Sequence, residues 1–270
     1  MKPRSILRIL LISTTLLICL SYSAAPAERY TFTLHKEVPT GANPCLKVRN
    51  TSGEIKIESH PGNKIIIEAF KVVKADNCEK AKRMADEIEV IIQNRDSEIE
   101  IKTRYPSRRS GGLMRRLFSS GGSMSMRVDY HILVPQEIDL NILSTSGDVR
   151  ISNISGRVEV NATSGDLWVK RIKGNLHLES TSGDMEIFKV EGDLVVRGTS
   201  SDLEMSAITG DVEISSTSGN TSVEEIAGSV RIGKTSGDVY LDRIRGNIQV
   251  SSSSGDLIID QVEGGLDLET

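Results

Sequence analysis

The chain has 270 residues, of which 38% are hydrophobic, 26% charged and 4% aromatic, and its formal net charge is −4. The apolar content is that of a folded chain rather than a disordered one. The mild acidic excess excludes a general polyanion-binding role and leaves nucleic acid an unexpected partner.

At the N-terminus Lys2, Arg4 and Arg8 precede an apolar run from Ile9 to Leu20, and Ala25-Pro26-Ala27 supplies a small-residue cleavage site. This order predicts a secretory signal peptide over residues 1–27. Its removal takes away three basic residues and no acid, which moves the charge from −4 to −7. Cys19 follows Ile18, where a lipoprotein signal wants a small residue, so acylation is not expected. No later segment is long and apolar enough to span a bilayer. The sequence therefore points to an exported protein, periplasmic, cell-surface or secreted. Cys45 and Cys78 would then meet an oxidising compartment, where one disulfide and two free thiols both fit their spacing.

Residues 28–144 are irregular. TSGEIKI, from Thr51 to Ile57, is a degenerate copy of a motif that recurs later, and Pro61-Gly62-Asn63 with Ile65-Ile66-Ile67 continues it one residue out of register. Glu79 to Ala85 carries good helix formers. Glu87–Gln93 and Glu98–Thr103 alternate like a hairpin around Asn94-Arg95-Asp96-Ser97. Ser125–Val134 reads as a strand ending at Pro135. The section is expected to cap the array that follows, because repeat stacks need covered ends.

Within it, residues 104–127 concentrate six arginines without an acid: Arg104, Arg108, Arg109, Arg115, Arg116 and Arg127. Leu113, Met114, Leu117 and Phe118 surround the central pair, and Gly111-Gly112 and Gly121-Gly122 bracket it. The pattern supports either a flexible glycine linker or a short basic amphipathic contact loop for an anionic membrane surface or an acidic partner.

From Thr145 to Thr270 the sequence restarts every 18 residues, seven times, at TSGDV, TSGDL, TSGDM, TSSDL, TSGNT, TSGDV and SSGDL. With Thr145 as offset zero, apolar residues recur at offsets 4, 6, 9, 13 and 15, as in Val149, Ile151, Ile154, Val158 and Val160. Apolar residues two apart mark strands with one buried face, so each copy holds two short strands. Glycines at offsets 2 and 11 mark the corners between them. A short fixed period means one unit stacked on copies of itself, which predicts an all-β fold: a parallel β-solenoid of two-strand coils, about 34 Å long at roughly 4.8 Å per coil. A meander of antiparallel hairpins is the competing reading, but it would not stack identical residues in columns. The last copy ends without a visible cap, so its edge is a candidate for docking on another molecule or for self-association.

Two polar columns bear on function. Asp148, Asp166, Asp184, Asp202, Asp238 and Asp256, with Asn220 in the remaining place, would repel one another unless they accept hydrogen bonds or hold cations. Corner bonding to backbone N–H is the simpler role. A calcium column is the alternative, and it wants an acid in every half-repeat, which the mixed offset 12 lacks. Thr at offset zero resembles the threonine ladders of ice-binding solenoids, but it holds the half-repeat place that Ile154 fills and is expected to point inward.

No His/Cys/Asp cluster at metal-ligand spacing and no nucleophile–base pattern is present, since His35, His60, His131 and His177 are dispersed. No catalytic residue, cofactor or metal is assigned. Trp168, Phe188 and Tyr240 at offsets 5 and 7 are outward candidates for a contact surface.

The degenerate TSGEIKI copy, the helix with hairpin, the strand closing in ILVP at Ile132–Pro135 and the iterated S-G-D-aliphatic motif together resemble the bacterial family known as domain of unknown function 4097, labelled putative adhesin. Ser201 for Gly, and Asn220-Thr221 for the Asp–aliphatic pair, depart from its pattern. The resemblance implies an extracytoplasmic, non-enzymatic scaffold or adhesin-like protein contacting an envelope or surface protein. A carbohydrate-binding or carbohydrate-cleaving β-helix is the alternative.

Overall fold

The computed structural model describes residues 28–95, 97–106 and 125–269, so the signal-like segment and most of the Arg/Gly-rich segment lie outside it. Two eleven-stranded sheets face each other across one strip of aliphatic side chains. In the array the chain alternates between them: β8 (Asp139–Ser146), β9 (Val149–Ser155), β10 (Val158–Ser164), β11 (Leu167–Lys173), and so on to β21 (Leu257–Val262) and β22 (Leu266–Glu269). Each strand pairs in parallel with the strand one repeat on, as Val158 with Leu176 and Leu167 with Met185. The array is the parallel two-strand solenoid that its columns imply. From Val149 to Val250 the residues at offsets 4, 6, 9, 13 and 15 are at most 2% exposed, and each buried Val, Ile or Leu there is worth about 1.5–3 kcal/mol.

The two halves of a coil are not equivalent. In the first half the residue at offset 8 is left-handed although it is never glycine: Asn153 (φ 61°), Arg171 (57°), Lys189 (60°), Ala207 (59°), Glu225 (57°), Arg243 (55°) and Gln261 (49°). This extra residue produces the three-residue step between inward Ile151 and inward Ile154. The second half has no such residue, so its alternation simply continues, and offset 17 points inward. Ser144, Ser180 and Ser216 occupy that place, buried to 2%, 5% and 6%. Ser180 Oγ donates to Ser182 O at 3.0 Å and Ser216 Oγ to Ser218 O at 3.2 Å, which satisfies corner carbonyls. The threonines at offset zero are correspondingly exposed, contrary to the inward placement expected from the sequence. Their outward row is one hydroxyl wide and runs beside the charged residues Glu179 and Arg197, so it offers no flat hydroxyl face.

The N-terminal section contributes two coils where the sequence suggested one degenerate copy. β2 (Cys45–Ser52) and β3 (Ile55–His60) stack in parallel on β8 and β9. On their other side lie β6 (Glu98–Arg104) and β7 (Met126–Pro135), also in parallel. β4 (Lys64–Ala75) does not complete a coil: it turns back antiparallel to β7, and β1 (Glu28–Pro39) lies antiparallel outside it. β5 (Glu89–Arg95) closes the other sheet as the hairpin partner of β6.

Helix α1 (Cys78–Asp86) packs mainly on β4 and buries Ala81, Met84 and Ala85. The Asn77 side chain accepts the Lys80 N–H at 2.9 Å and caps its start. Tyr130 of β7 and Thr103 of β6 join the two sheets through their hydroxyls at 2.6 Å, and burial pushes the Tyr130 phenol up to about 12.

The structure holds no bond between Cys45 and Cys78. Cys45 starts β2 in one sheet, whereas Cys78 starts the helix packed against the other, and both thiols are free.

Candidate functional site

The acidic column resolves into a ladder. Asp148 Oδ1 accepts the Asp166 N–H at 3.2 Å, Asp166 that of Asp184 at 2.9 Å, and Asp184 that of Asp202 at 3.3 Å. Asp202 then accepts Asn220 N at 2.7 Å, Asn220 accepts Asp238 N at 3.1 Å, and Asp238 accepts Asp256 N at 2.9 Å. Each carboxylate thus satisfies the first free corner N–H of the next coil, and an amide oxygen serves equally at Asn220. Offset 12 holds a second ladder, in which Asn175 accepts Asp193 N at 3.2 Å, Asp193 accepts Asp211 N at 3.1 Å and Asp211 accepts Ser229 N at 2.8 Å. Among the described residues no group of three or more His, Cys, Asp or Glu has metal-binding geometry.

Corner glycines are required by contact as much as by φ. A Cβ on Gly165 (φ +115°) would lie 2.5 Å from the Gly147 carbonyl oxygen. At the exception, Ser201, the side chain is buried beside Gly198, the smallest residue of the inward offset-17 column, and its hydroxyl has no partner.

Of the proposed contact loop, Arg108, Arg109, Leu113, Met114, Arg115, Arg116, Leu117 and Phe118 lie outside the described residues. Its two feet are described. Arg104 pairs with Glu89 at 3.0 Å and Arg127 with Asp129 at 3.0 Å, so both are neutralised locally. Register places Lys102 beside Arg49 and Tyr130 beside Ile55. The tight TSG step from Arg49 to Ile55 is therefore replaced, in the neighbouring coil, by the whole segment between Lys102 and Tyr130. Tyr105 braces this corner: its hydroxyl donates to Ser52 O at 2.6 Å and accepts the Val128 N–H at 3.0 Å, and burial raises its pKa strongly.

The outward aromatics Trp168, Phe188 and Tyr240 fall on the same sheet. The Arg150 guanidinium stacks 4.1 Å from the Trp168 ring centroid, and Arg150 also pairs with Glu54. Between Trp168 and Tyr240 a shallow groove of about 630 Å³ runs over Glu186, Glu204 and Ser222. Phe188 and Tyr240 are 43% and 37% exposed.

A larger concavity lies elsewhere, where the capping section meets the array. It is a cleft of about 1160 Å³ between the loop joining β1 to β2, the turn joining β3 to β4 and the loop joining β7 to β8. The walls are cross-braced. Thr40 gives both its N–H (3.1 Å) and its Oγ1–H (2.9 Å) to Asn63 O, Asp139 N donates to Pro44 O at 3.0 Å, and Ser155 N donates to Gln136 O at 2.7 Å. Sequence reasoning missed this cleft, although its prolines Pro44, Pro61 and Pro135 and the Pro-Gly-Asn turn were visible signals.

The model of the Toastrack family, DUF4097, matches residues 37–260, from within β1 into β21. The chain belongs to the Toastrack family. This Toastrack chain is also similar in fold to solved structures of low identity. A Bacteroides fragilis protein described as a putative adhesin is 13% identical, with 88% of this chain and 97% of that chain covered and a TM-score of 0.44. A Clostridium sporogenes protein described as a putative cell adhesion protein is 9% identical, with 86% and 99% covered and a TM-score of 0.33. A Parabacteroides distasonis protein described as a putative lipid binding protein is 10% identical, with 88% and 97% covered and a TM-score of 0.39. No curated protein matches the Toastrack chain.

Proposed function

We propose that this Toastrack protein is a non-enzymatic, exported scaffold that works by contact with an envelope or surface protein. The observation that carries this reading is the fate of the repeating acids: each Asp of the column from Asp148 to Asp238 spends an oxygen on the backbone of the next coil, so the array is chemistry used for construction. Recognition then falls to whatever departs from the repeat. Three surfaces qualify: the Arg/Gly-rich segment set into one coil corner, the sheet face bearing Trp168, Phe188 and Tyr240, and the last coil. In that coil Leu266 and Leu268 are 52% and 44% exposed, where their equivalents in earlier coils are buried. The signal-like N-terminus supports export, and among the described residues no helix is long and apolar enough to cross a membrane.

The test is recovery of partners from envelope extract by the intact protein, by a variant lacking residues 110–123, by Trp168→Ala/Phe188→Ala/Tyr240→Ala and by Leu266→Asp/Leu268→Asp. Selective loss with one variant assigns the contact surface. Equal recovery by all four overturns the reading that these surfaces act.

A further inference from the structure

We infer that the junction cleft is a binding site for a neutral, hydroxyl-rich ligand, an oligosaccharide segment, held between the capping section and the first coils. The cleft exceeds the usual size of small-ligand sites, roughly 300–1,000 Å³, so it has room for more than one sugar unit. Its walls are set before any ligand arrives, because the three loops are tied to one another and to Ser155 by backbone hydrogen bonds. Pre-set walls lower the ordering cost of binding.

The lining chemistry selects the ligand class. It contains no Lys or Arg, so it offers no permanent cation to neutralise a phosphate, sulfate or carboxylate. It contains no Phe, Tyr or Trp, so a flat aromatic ligand would find no ring to stack on. What remains are carboxylates and amides that need hydroxyl partners. Asp139 uses Oδ1 to accept the Arg157 N–H at 2.8 Å, leaving Oδ2 available, and Glu137 has an exposed carboxylate without a partner. The Asn43 and Asn63 amides are exposed at the rim, and each can donate and accept. His60 adds a ring nitrogen: Lys64 O can only accept, so the Nε2 that contacts it at 2.7 Å is the donor, which leaves Nδ1 for a ligand hydroxyl. Vicinal sugar hydroxyls, each both donor and acceptor, match such a set. Pro61, exposed in the lining, gives the C–H face of a sugar an apolar surface to cover.

Asn43 strengthens the assignment. Apart from the offset-8 column, it is the one non-glycine left-handed residue among the described residues, with φ 51°, and it stands at the tip of the loop that forms one wall. Backbone in sparsely populated regions persists where the surrounding structure holds it, often at binding sites.

The inference goes beyond the contact scaffold and stands or falls separately from it. The test uses the full chain with neutral trisaccharides as probes, maltotriose, cellotriose and triacetylchitotriose, and with trigalacturonic acid as the anionic counterpart. Binding is read by saturation-transfer NMR and titration calorimetry. At least one neutral probe is expected to bind, trigalacturonic acid more weakly. Glu137→Ala/Asn63→Ala is expected to weaken binding about tenfold or more with an unchanged melting temperature, while Trp168→Ala leaves it intact. Failure of every neutral probe to bind, preference for the anionic probe, or loss with Trp168→Ala in place of the cleft variant would each overturn the assignment. None of these outcomes alters partner recovery from extract, which tests the scaffold reading alone.

Discussion

Lys234 Nζ donates to Thr221 Oγ1 at 2.9 Å inside the solenoid, where every neighbouring coil places a serine, glycine or alanine against an aliphatic side chain. Thr221 is 2% and Lys234 7% exposed, and the ammonium also reaches Gly219 O. The departure of Thr221 from the aliphatic column is thus compensated by a departure thirteen residues later. Separately, Lys234→Ala should cost about 1–3 kcal/mol by stranding the buried Thr221 hydroxyl, and Thr221→Val about 1–3 kcal/mol by taking one of two acceptors from a buried ammonium. Together, Thr221→Val/Lys234→Ala restores the common pattern and should come within about 1 kcal/mol of the parent, a coupling visible in a urea-denaturation double-mutant cycle.

The same lysine makes a pH prediction. Burial lowers its pKa below 10.5, with Asp202 and Asp238 opposing the shift. A lysine whose folded pKa is depressed binds fewer protons folded than unfolded, so its cost is fully present below the folded pKa and is relieved as pH rises toward 10.5. Relative to Lys234→Met, the parent should gain stability between neutral pH and pH 10.5. A constant difference across that range, measured by chemical denaturation, would contradict the burial argument.

Removing one rung of the acidic ladder tests its role. Asp184→Ala strands the Asp202 N–H and should cost about 1 kcal/mol, while Asp184→Asn keeps an acceptor and should cost less. Because the carboxylates bond backbone, millimolar calcium or a chelator should leave the melting temperature unchanged. A clear rise with calcium would return the column to ion binding.

Two glycines of the array should behave oppositely. Gly165→Ala places a Cβ against the Gly147 carbonyl at positive φ and should destabilise by at least about 1–3 kcal/mol. A methyl added at Gly233 would meet nothing within 4 Å, so Gly233→Ala should be neutral or stabilise by about 0.4–1 kcal/mol. Thermal melts of the pair decide it.

At the capping section, a chain of charge runs over four strands. His131 contacts Glu58 at 3.2 Å and Glu68 at 3.4 Å, Glu68 contacts His35 at 3.7 Å, and Lys56 holds Glu58 at 2.7 Å. The Lys56 ammonium, followed by His131, holds the Glu58 carboxyl below its ordinary 4.5. Its contribution is therefore present above 4.5 and lost as pH falls through the lowered folded value. Glu58→Gln should remove under about 1 kcal/mol at neutral pH and flatten the acid limb of the stability profile.

The aliphatic columns made the coil legible because burial dictates residue type: apart from Thr221, the inward places of these columns hold Val, Ile, Leu or Met. Where geometry alone is demanded, residue identity drifts and the signal fades. The left-handed offset 8 is filled by Asn, Arg, Lys, Ala, Glu, Arg and Gln in turn, and its trace is only the three-residue step from Ile151 to Ile154. Offset 17 was obscured in the same way by Ser, Gly, Ala and Lys, and that misplaced the threonines. The offset-12 ladder hides because only the accepting coil needs Asp or Asn, whereas the donor is backbone and can belong to Arg157 or Ser229. The junction cleft depends on loops far apart in sequence, so Pro-Gly-Asn marked a turn without revealing what the turn would face.

The placement of the β6–β7 coil beneath β2–β3 has a consequence for the order of assembly. Both lateral neighbours of Cys45–Ser52 and Ile55–His60 are made later in the chain, so a polypeptide emerging from its N-terminus carries two strands with no sheet to join. Stacking of one coil on its immediate sequence neighbour begins only after Ile138, whereas β2 and β3 must close over longer separations, onto β6 and β7 on one side and β8 and β9 on the other. Joining the capping section therefore costs more loop closure than adding any coil of the array.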